Sequence, residues 1–276
     1  MITAVVDSGA TKTHWAFIHN NSVQEFITAG MNPSVNNQHP RLENTELVDW
    51  LKKTDQLHYF GAGINSDTTK ESIAIFLSDY LSPTAAVSIE NDLLGAAIAA
   101  TQGQKGIVVI LGTGSNSCIY DGKKIIDAIP SLGYTLSDEG SGNKIGKEVL
   151  KAYFYRRMPT AEVQRFEQLY SITKEEVIHN LYKEPAPNAY LASFAGFAIN
   201  SPDETWKESI LMPIFEEMVN VRIKSFTDYP TFDVYFVGSI SYFCRDWLER
   251  VMHSHQLKIA NIVKDPMQGL IDYYKQ

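Results

Sequence analysis

The chain has 276 residues, of which 44% are hydrophobic, and it carries a formal net charge of -8. This length exceeds the usual size of a single domain, so two hydrophobic cores are expected. The acidic balance argues against a nucleic-acid partner, because affinity for nucleic acid depends on basic residues that neutralise phosphates. The chain enters a strand pattern directly after Met1, and no long uncharged apolar run follows. We therefore expect no signal peptide, no membrane span and a cytoplasmic location.

The chain opens with three predicted strands joined by two short turns. The strands are expected at 2–6, 14–19 and 23–28. The first turn, residues 7–13, is rich in glycine and small hydroxyl residues, so its backbone N–H groups and hydroxyls can converge on an anion. Its candidate phosphate-binding residues are Ser8, Gly9, Thr11, Lys12 and Thr13. Ordinary hairpin turns favour the same residue types, so a purely conformational role is the alternative.

Asp7 stands at the end of the first buried strand. A carboxylate cannot itself bind phosphate, and Mg²⁺ prefers oxygen ligands and usually keeps several waters. The sequence therefore predicts that Asp7 holds Mg²⁺.

Further helices and strands follow before a polar, glycine-containing boundary near 101–106. Helices are expected near 42–53, 68–81 and 93–101, and strands at 57–60 and 85–89.

The second half repeats the design of the first. Strands are predicted at 106–111, 118–120 and 123–129, and the turn at 112–117 supplies the second phosphate-binding candidates, Gly112, Thr113, Gly114 and Ser115. Later elements are helices at 144–157, 204–226 and 240–253, strands at 233–237 and 258–263, and a final helix ending at 274. Both halves therefore read as βββαβαβα, the second with extra helices between 161 and 201. Two such turns that grip one polyphosphate from both sides of a cleft are typical of an ATP-dependent phosphotransferase.

Other chemistries fit the sequence less well. Residues 112–117 lack the last glycine of a dinucleotide-binding fingerprint, and the chain has no Walker A motif. Cys118 and Cys244 are far apart and match no metal-ligand spacing, which indicates buried free thiols in a reducing compartment.

Five motifs occur together along the chain. They are the two turns, the segment Glu90-Asn91-Asp92-Leu93-Leu94-Gly95-Ala96, the segment 131–142 that begins Ser131-Leu132-Gly133-Tyr134, and Phe236-Val237-Gly238-Ser239-Ile240. Together they resemble the N-acetylglucosamine kinase and BadF/BadG-type ATPase group of the sugar kinase, actin and Hsp70 superfamily. The resemblance implies an α/β fold with two ribonuclease H-like lobes, 1–103 and 104–276, and a helical insertion near 159–201. It implies ATP and Mg²⁺ as cofactors, a ligand cleft between the lobes and a homodimer, and the C-terminal helix is a candidate to pack back on the first lobe.

The resemblance also assigns site residues. It adds Gly196, Gly238 and Ser239 to the nucleotide site, makes Asp92 the catalytic base, and gives the sugar contacts as Asn32, Asp92, Leu132, Gly133 and Asp138. Each has a structural alternative: Asp92 could cap its helix unless Asn91 does so, and Asn32 and Asp138 are good turn residues. Mammalian members of the family have a tryptophan at the position of Leu132.

The implied function is phosphorylation of N-acetylglucosamine to its 6-phosphate. N-acetylmuramic acid, N-acetylmannosamine and glucosamine are not separated by the sequence. Two other functions remain open: an ATPase activator of a 2-hydroxyacyl-CoA dehydratase, which would need two cysteines per subunit for an iron–sulfur cluster, and a non-catalytic sugar or nucleotide sensor.

Overall fold

The computed structural model of the chain describes residues 1–9, 12–31 and 41–275. Two residues of the predicted site, Thr11 and Asn32, lie outside this described part.

The described residues contain two five-stranded sheets. The first consists of β1 (Thr3–Ser8), β2 (Lys12–His19), β3 (Ser22–Ala29), β4 (Gln56–Gly61) and β5 (Ala86–Asn91). The second consists of β6 (Gly106–Leu111), β7 (Ser115–Tyr120), β8 (Ile125–Ile129), β9 (Val234–Val237) and β10 (Ile259–Val263).

Helices connect and cover these strands. In chain order they are α1 (Thr45–Lys52), α2 (Asp67–Ser78), α3 (Asp92–Thr101), α4 (Gly133–Leu136), α5 (Gly142–Phe154), α6 (Thr160–Leu169), α7 (Lys174–Tyr182), α8 (Pro187–Ala192), α9 (Ala195–Ile199), α10 (Glu204–Met218), α11 (Ser239–Phe243), α12 (Arg245–Ser254) and α13 (Pro266–Tyr274). A π-helical turn, Val219–Ile223, follows α10, and a 3₁₀ turn spans Tyr229–Thr231.

The two sheets have the same strand order. The order is β3-β2-β1-β4-β5 in the first sheet and β8-β7-β6-β9-β10 in the second. In the first sheet β1 pairs antiparallel with β2 and parallel with β4, and in the second β6 pairs parallel with β9. The predicted duplication and the α/β fold class are confirmed.

The chain divides into two compact units. Unit 1 comprises Met1–Gln104, Tyr120–Ile125 and Asp265–Gln276, and unit 2 comprises Lys105–Ile119 and Ile126–Lys264. The core of unit 1 includes the buried side chains of Trp15, Phe17, Leu47 and Tyr59, and that of unit 2 includes Phe166, Phe215 and Phe236.

Helix α13 belongs to unit 1 although it closes the chain. It packs against α3 so closely that a β-carbon at Gly269 would lie 2.4 Å from the Ala99 carbonyl oxygen. The Gln102 side-chain amide donates to the Gly269 carbonyl at 2.8 Å. Small residues on both helices permit this approach, which holds the C-terminal end of α3 against α13.

Two predicted helices differ from the structure. The expected helix at 240–253 is interrupted at Cys244, where α11 ends and α12 begins. The expected helix at 204–226 changes to π-helical hydrogen bonding at Val219, with the Lys224 N–H donating to the Val219 carbonyl at 2.9 Å. Apolar periodicity predicts helical segments but not such changes in hydrogen-bond spacing.

Candidate functional site

Asp7 and Asp92 reach the same edge of the first sheet. Strands β1, β4 and β5 are parallel, and their register aligns Ser8 with Gly61 and Gly61 with Asn91. Asp7 is therefore the penultimate residue of β1, and Asp92 opens α3 directly after β5. Because β4 separates their strands, the two backbones lie roughly 10 Å apart, within reach of one phosphate-sized ligand.

Tight packing holds Asp92 in place. Helix α3 is built mainly of small apolar residues, and a β-carbon at Gly95 would lie 2.7 Å from the Phe60 side chain. The N-cap of α3 is Asn91, whose side chain accepts from the Leu93 N–H at 2.8 Å. Capping therefore does not depend on Asp92.

Burial raises the pKa of Asp92, and this effect outweighs hydrogen bonds from the backbone N–H groups of Leu93 and Asp92, which lower it. A buried carboxylate with a raised pKa is a better proton acceptor than an exposed one.

Asp7 is a strongly perturbed carboxyl group at this edge of the sheet. Burial, then the charges of Asp265 and Asp92, raise its pKa to about 7, and Lys12 opposes the shift. The carboxyl groups around Asp7 therefore carry more negative charge than the neighbouring cation offsets. Oxygen donors with excess negative charge suit Mg²⁺.

Asp265 is a further acidic neighbour of Asp7, and it is not among the site residues predicted from the sequence. It caps α13 by accepting from the Met267 N–H at 3.0 Å, and Lys12 Nζ lies 3.2 Å from its carboxylate. Burial alone would raise the pKa of Asp265, but these two partners together hold it below its ordinary value. The Asp-Pro pair signals a helix start. Only the return of the last helix to unit 1 places it beside Asp7.

The two hydroxyl groups of the first turn that the structure describes form hydrogen bonds within the protein. Ser8 and Thr13 are fully buried, with their hydroxyl oxygens 2.7 Å apart, and Ser8 Oγ also donates to the Met31 carbonyl at 3.1 Å. The Gly9 N–H donates to the Lys12 carbonyl at 2.9 Å and closes the turn. The exposed Lys12 side chain thus adds a positive charge to the described part of this hairpin.

The second turn lies against the start of α5 in unit 2. The Gly142 N–H donates to the Gly112 carbonyl at 2.8 Å, and the Asn143 N–H donates to the Thr113 carbonyl at 3.0 Å. No atom lies within 4 Å of a β-carbon placed on Gly112, so the backbone is open there. This opening is where a phosphate could approach the backbone.

Gly238 lies beside the second turn. It has a φ of 120°, and a β-carbon there would lie 2.3 Å from the Leu111 carbonyl oxygen, immediately before Gly112. Unit 2 therefore brings Gly238 and Ser239, the first residue of α11, next to the second turn. Gly196 is an exposed residue of α9, where its carbonyl accepts from the Asn200 side chain at 2.9 Å.

Asp138 joins the second turn to the predicted sugar loop. It is buried, has a left-handed φ of 70°, and accepts from the Ser115 N–H at 3.0 Å, Asn143 Nδ2 at 2.7 Å and Ser131 Oγ at 3.4 Å. These bonds use most of its acceptor positions. Its observed role is to hold the loop, and any bond to sugar would come in addition.

Leu132 and Gly133 form the exposed part of the same loop. Leu132 is 65% exposed, and Gly133 has a φ of 77° at the start of the short helix α4. The Lys147 ammonium donates to the Tyr134 carbonyl at 2.9 Å. The loop therefore exposes the apolar side chain of Leu132, while Lys147 holds its backbone at Tyr134.

The structure also describes the two cysteines, and it can be searched for metal-binding clusters and membrane-spanning helices. Both cysteines are buried free thiols, as predicted, and burial raises the pKa of each to about 12. Within the described ranges, no group of three histidine, cysteine or acidic side chains is arranged to hold a metal ion. No helix in that part of the chain is both long and apolar enough to cross a membrane.

Comparisons with known proteins find N-acetylglucosamine kinases among the proteins similar to this chain. No protein-family model matches the chain. An N-acetyl-D-glucosamine kinase of Dictyostelium discoideum is 28% identical over 134 residues, which are 47% of this chain and 42% of that protein, so the match spans less than half of this curated relative.

Solved structures match over the full length. A protein of Porphyromonas gingivalis, provisionally named an N-acetylglucosamine kinase, has a TM-score of 0.87 and 29% identity, covering 99% of this chain and 98% of that one. A ROK-family glucokinase of Streptomyces griseus, solved with glucose and AMPPNP, has a TM-score of 0.54 and 15% identity, covering 100% and 98%. The second likeness concerns the fold alone.

The comparisons confirm the predicted resemblance to the N-acetylglucosamine kinases, and the more distant structures share the two-lobed fold. These three proteins are named as sugar kinases, which supports the prediction of an ATP-dependent sugar kinase with a small-molecule sugar substrate.

Proposed function

We propose that the chain is a Mg²⁺-dependent and ATP-dependent kinase that phosphorylates N-acetylglucosamine at its 6-hydroxyl. The observation that carries this proposal is Asp92: a half-buried carboxylate whose pKa is raised by desolvation, at the same sheet edge as Asp7, and with its helix capped by Asn91 instead. The full-length structural match and the curated relative support N-acetylglucosamine as the sugar.

In the proposed reaction the protein forms no covalent bond with the substrates. Phosphoryl transfer passes through a loose transition state, so catalysis consists mainly of positioning and charge neutralisation. Asp92 accepts the proton of the sugar hydroxyl as that oxygen attacks the γ-phosphorus and ADP leaves. Its raised pKa brings the proton affinity of the carboxylate closer to neutral pH, which suits a general base.

The remaining residues bind and orient the substrates. Asp7 would hold Mg²⁺, which supplies positive charge against the phosphates when bound. Lys12 adds a cation to the first turn, and the open backbone at Gly112 suits a phosphate oxygen. Asp138, Leu132 and Gly133 form the proposed sugar loop, and Asn32 is proposed as a further sugar contact.

The alternative functions have less support. A dehydratase activator would need cysteines that bind an iron–sulfur cluster, whereas Cys118 and Cys244 are buried thiols whose pKa values burial raises to about 12. A non-catalytic sensor has no need of a carboxylate with a raised pKa at the position of Asp92.

A substrate panel tests the proposal. The purified chain is incubated with Mg-ATP and each of N-acetylglucosamine, N-acetylmannosamine, N-acetylmuramic acid, glucosamine and glucose, and ADP release is compared with a sugar-free control. We expect the highest kcat/KM with N-acetylglucosamine. A folded sample that binds ATP but releases no sugar-dependent ADP would favour the sensor or activator.

A further inference from the structure

Arg222 is a fully buried arginine in unit 2, on the π-helical turn that follows α10. Its guanidinium donates to four acceptors. They are Glu139 Oε2 at 2.9 Å, Ser137 Oγ at 2.5 Å, and the carbonyl oxygens of Ile129 and Pro130 at 3.3 Å each.

These four acceptors flank one short segment. Ile129 and Pro130 precede residues 131–136, and Ser137 and Glu139 follow them. The segment itself is mostly exposed, with Leu132 at 65% and Leu136 at 75%. A single buried group therefore holds both ends of a loop whose middle faces solvent.

Only an arginine can make this set of contacts. The guanidinium presents five donors in one plane, whereas a lysine ammonium is a compact point charge on a flexible stem. Glu139 balances the buried charge, and its neighbour Asp138 is bonded to the Ser115 N–H of the second turn. A shift of Arg222 would therefore move residues 131–136 and Asp138.

We propose that Arg222 is a positioning residue that fixes residues 131–136 in the conformation that binds the sugar. The proposal rests on the proposed function, because it assigns this loop to the sugar. Arg222 does not touch the substrate. Its loss should therefore weaken sugar binding much more than ATP binding.

The test compares Arg222→Lys, Ser137→Ala and Arg165→Lys. Arg165 is a matched control in the same unit, since it donates to the buried Glu162 at 2.6 Å and to the Phe197 carbonyl at 2.7 Å, away from the loop. For Arg222→Lys we expect the KM for N-acetylglucosamine to rise about tenfold or more, with the KM for ATP and kcat changed by less than about threefold. Ser137→Ala removes one bond and no charge, so it should fold even if Arg222→Lys does not, and its sugar KM should rise about two- to fivefold.

A second measurement follows the loop without using activity. Limited chymotrypsin digestion should cut Arg222→Lys faster than the wild type at Leu132, Tyr134 or Leu136, by about fivefold or more, and Arg165→Lys at the wild-type rate. Sites of cleavage are mapped by mass.

The outcomes are distinguishable. Wild-type kinase activity with an unchanged sugar KM in both loop variants, or with equal changes in the KM for sugar and ATP, would overturn this proposal alone. A wild-type protein with no sugar-dependent activity would overturn the proposed function and this proposal together, and the digestion would then report only whether Arg222 anchors the loop.

Discussion

At the scale of single residues, Asp92 carries the proposed chemistry. Replacing it with Asn preserves size but removes the proton acceptor, so kcat should fall about 10² to 10⁴-fold while ATP affinity stays within about twofold. Steady-state kinetics and ATP titration measure the two quantities. Asp67→Asn is the matched control, because Asp67 is also the first residue of a helix, α2, but is exposed. Near-normal turnover in Asp92→Asn would reduce Asp92 to a structural residue.

Asp7 gives a pH prediction for the metal-free chain. Its pKa is about 7 in the folded state against 3.8 for the reference group. Between about pH 4 and pH 7 the unfolded state has lost this proton, whereas the folded state still holds it. The contribution of protonated Asp7 to the free energy of unfolding is therefore complete below about pH 4, and it is lost as the pH rises through about 7.

Asp7→Asn should therefore stabilise the protein at pH 8 by about 1 to 4 kcal/mol relative to the wild type, and by less at pH 5. Urea denaturation in the presence of EDTA measures both values, with Asp67→Asn as control. An effect of equal size at the two pH values would contradict the raised pKa of Asp7.

The sequence predicted Asp7 and Asp92 as site residues, but it did not predict the contacts of Asp265 and Arg222, for a physical reason. Asp7 and Asp92 each follow an apolar strand, and parallel strands end at one edge, so both could be predicted. Asp265 and Arg222 act through contacts with residues more than 80 positions away in the chain. Local pattern holds no information about such contacts.

At the scale of elements, the duplicated hairpins were predictable because strand alternation and turn residues are local signals. The shared strand order also follows from the repeated βββαβαβα pattern. The π-helical turn and the break at Cys244 were not predictable, because tertiary packing decides them. Whether a turn can bind a ligand likewise depends on which of its backbone atoms remain accessible after packing.

Gly112 tests the use of the second turn. A β-carbon there meets no atom within 4 Å, so Gly112→Ala should change the free energy of unfolding by less than about 1 kcal/mol. If phosphate approaches this backbone, the added methyl group should raise the KM for ATP about tenfold or more.

Thermal unfolding and ATP kinetics separate these effects. Gly238→Ala is the contrasting variant, because its φ of 120° and the 2.3 Å approach of its β-carbon to the Leu111 carbonyl predict a loss of stability. An unchanged KM for ATP in a stable Gly112→Ala variant would remove this turn from the nucleotide site.

At the scale of the whole molecule, the predicted site residues divide between the two units. Unit 1 contains Asp7, Lys12 and Asp92, and unit 2 contains Gly112 and Asp138. If the proposed transfer draws on residues of both sets, ATP and sugar should each favour the same conformation. We expect positive coupling of about 1 to 3 kcal/mol, or about 5- to 150-fold in affinity.

Calorimetric titration of a non-hydrolysable ATP analogue with and without N-acetylglucosamine measures this coupling. Solution scattering should also give a smaller radius of gyration with both ligands than with neither. If the ATP analogue and the sugar bind independently and the radius of gyration does not change, the proposal that both ligands favour one conformation is wrong.

The most direct test of the central claim is the identity of the product. The wild type and Asp92→Asn are incubated with Mg-ATP and N-acetylglucosamine, and the sugar product is examined by mass spectrometry and by phosphorus–proton correlation in NMR. We expect the wild type to yield a singly phosphorylated sugar whose phosphorus couples to the protons on C6, and Asp92→Asn to yield about 10² to 10⁴-fold less in the same time. The absence of a phosphorylated sugar from a wild-type sample that binds ATP, or equal yields from the two proteins, would contradict the account.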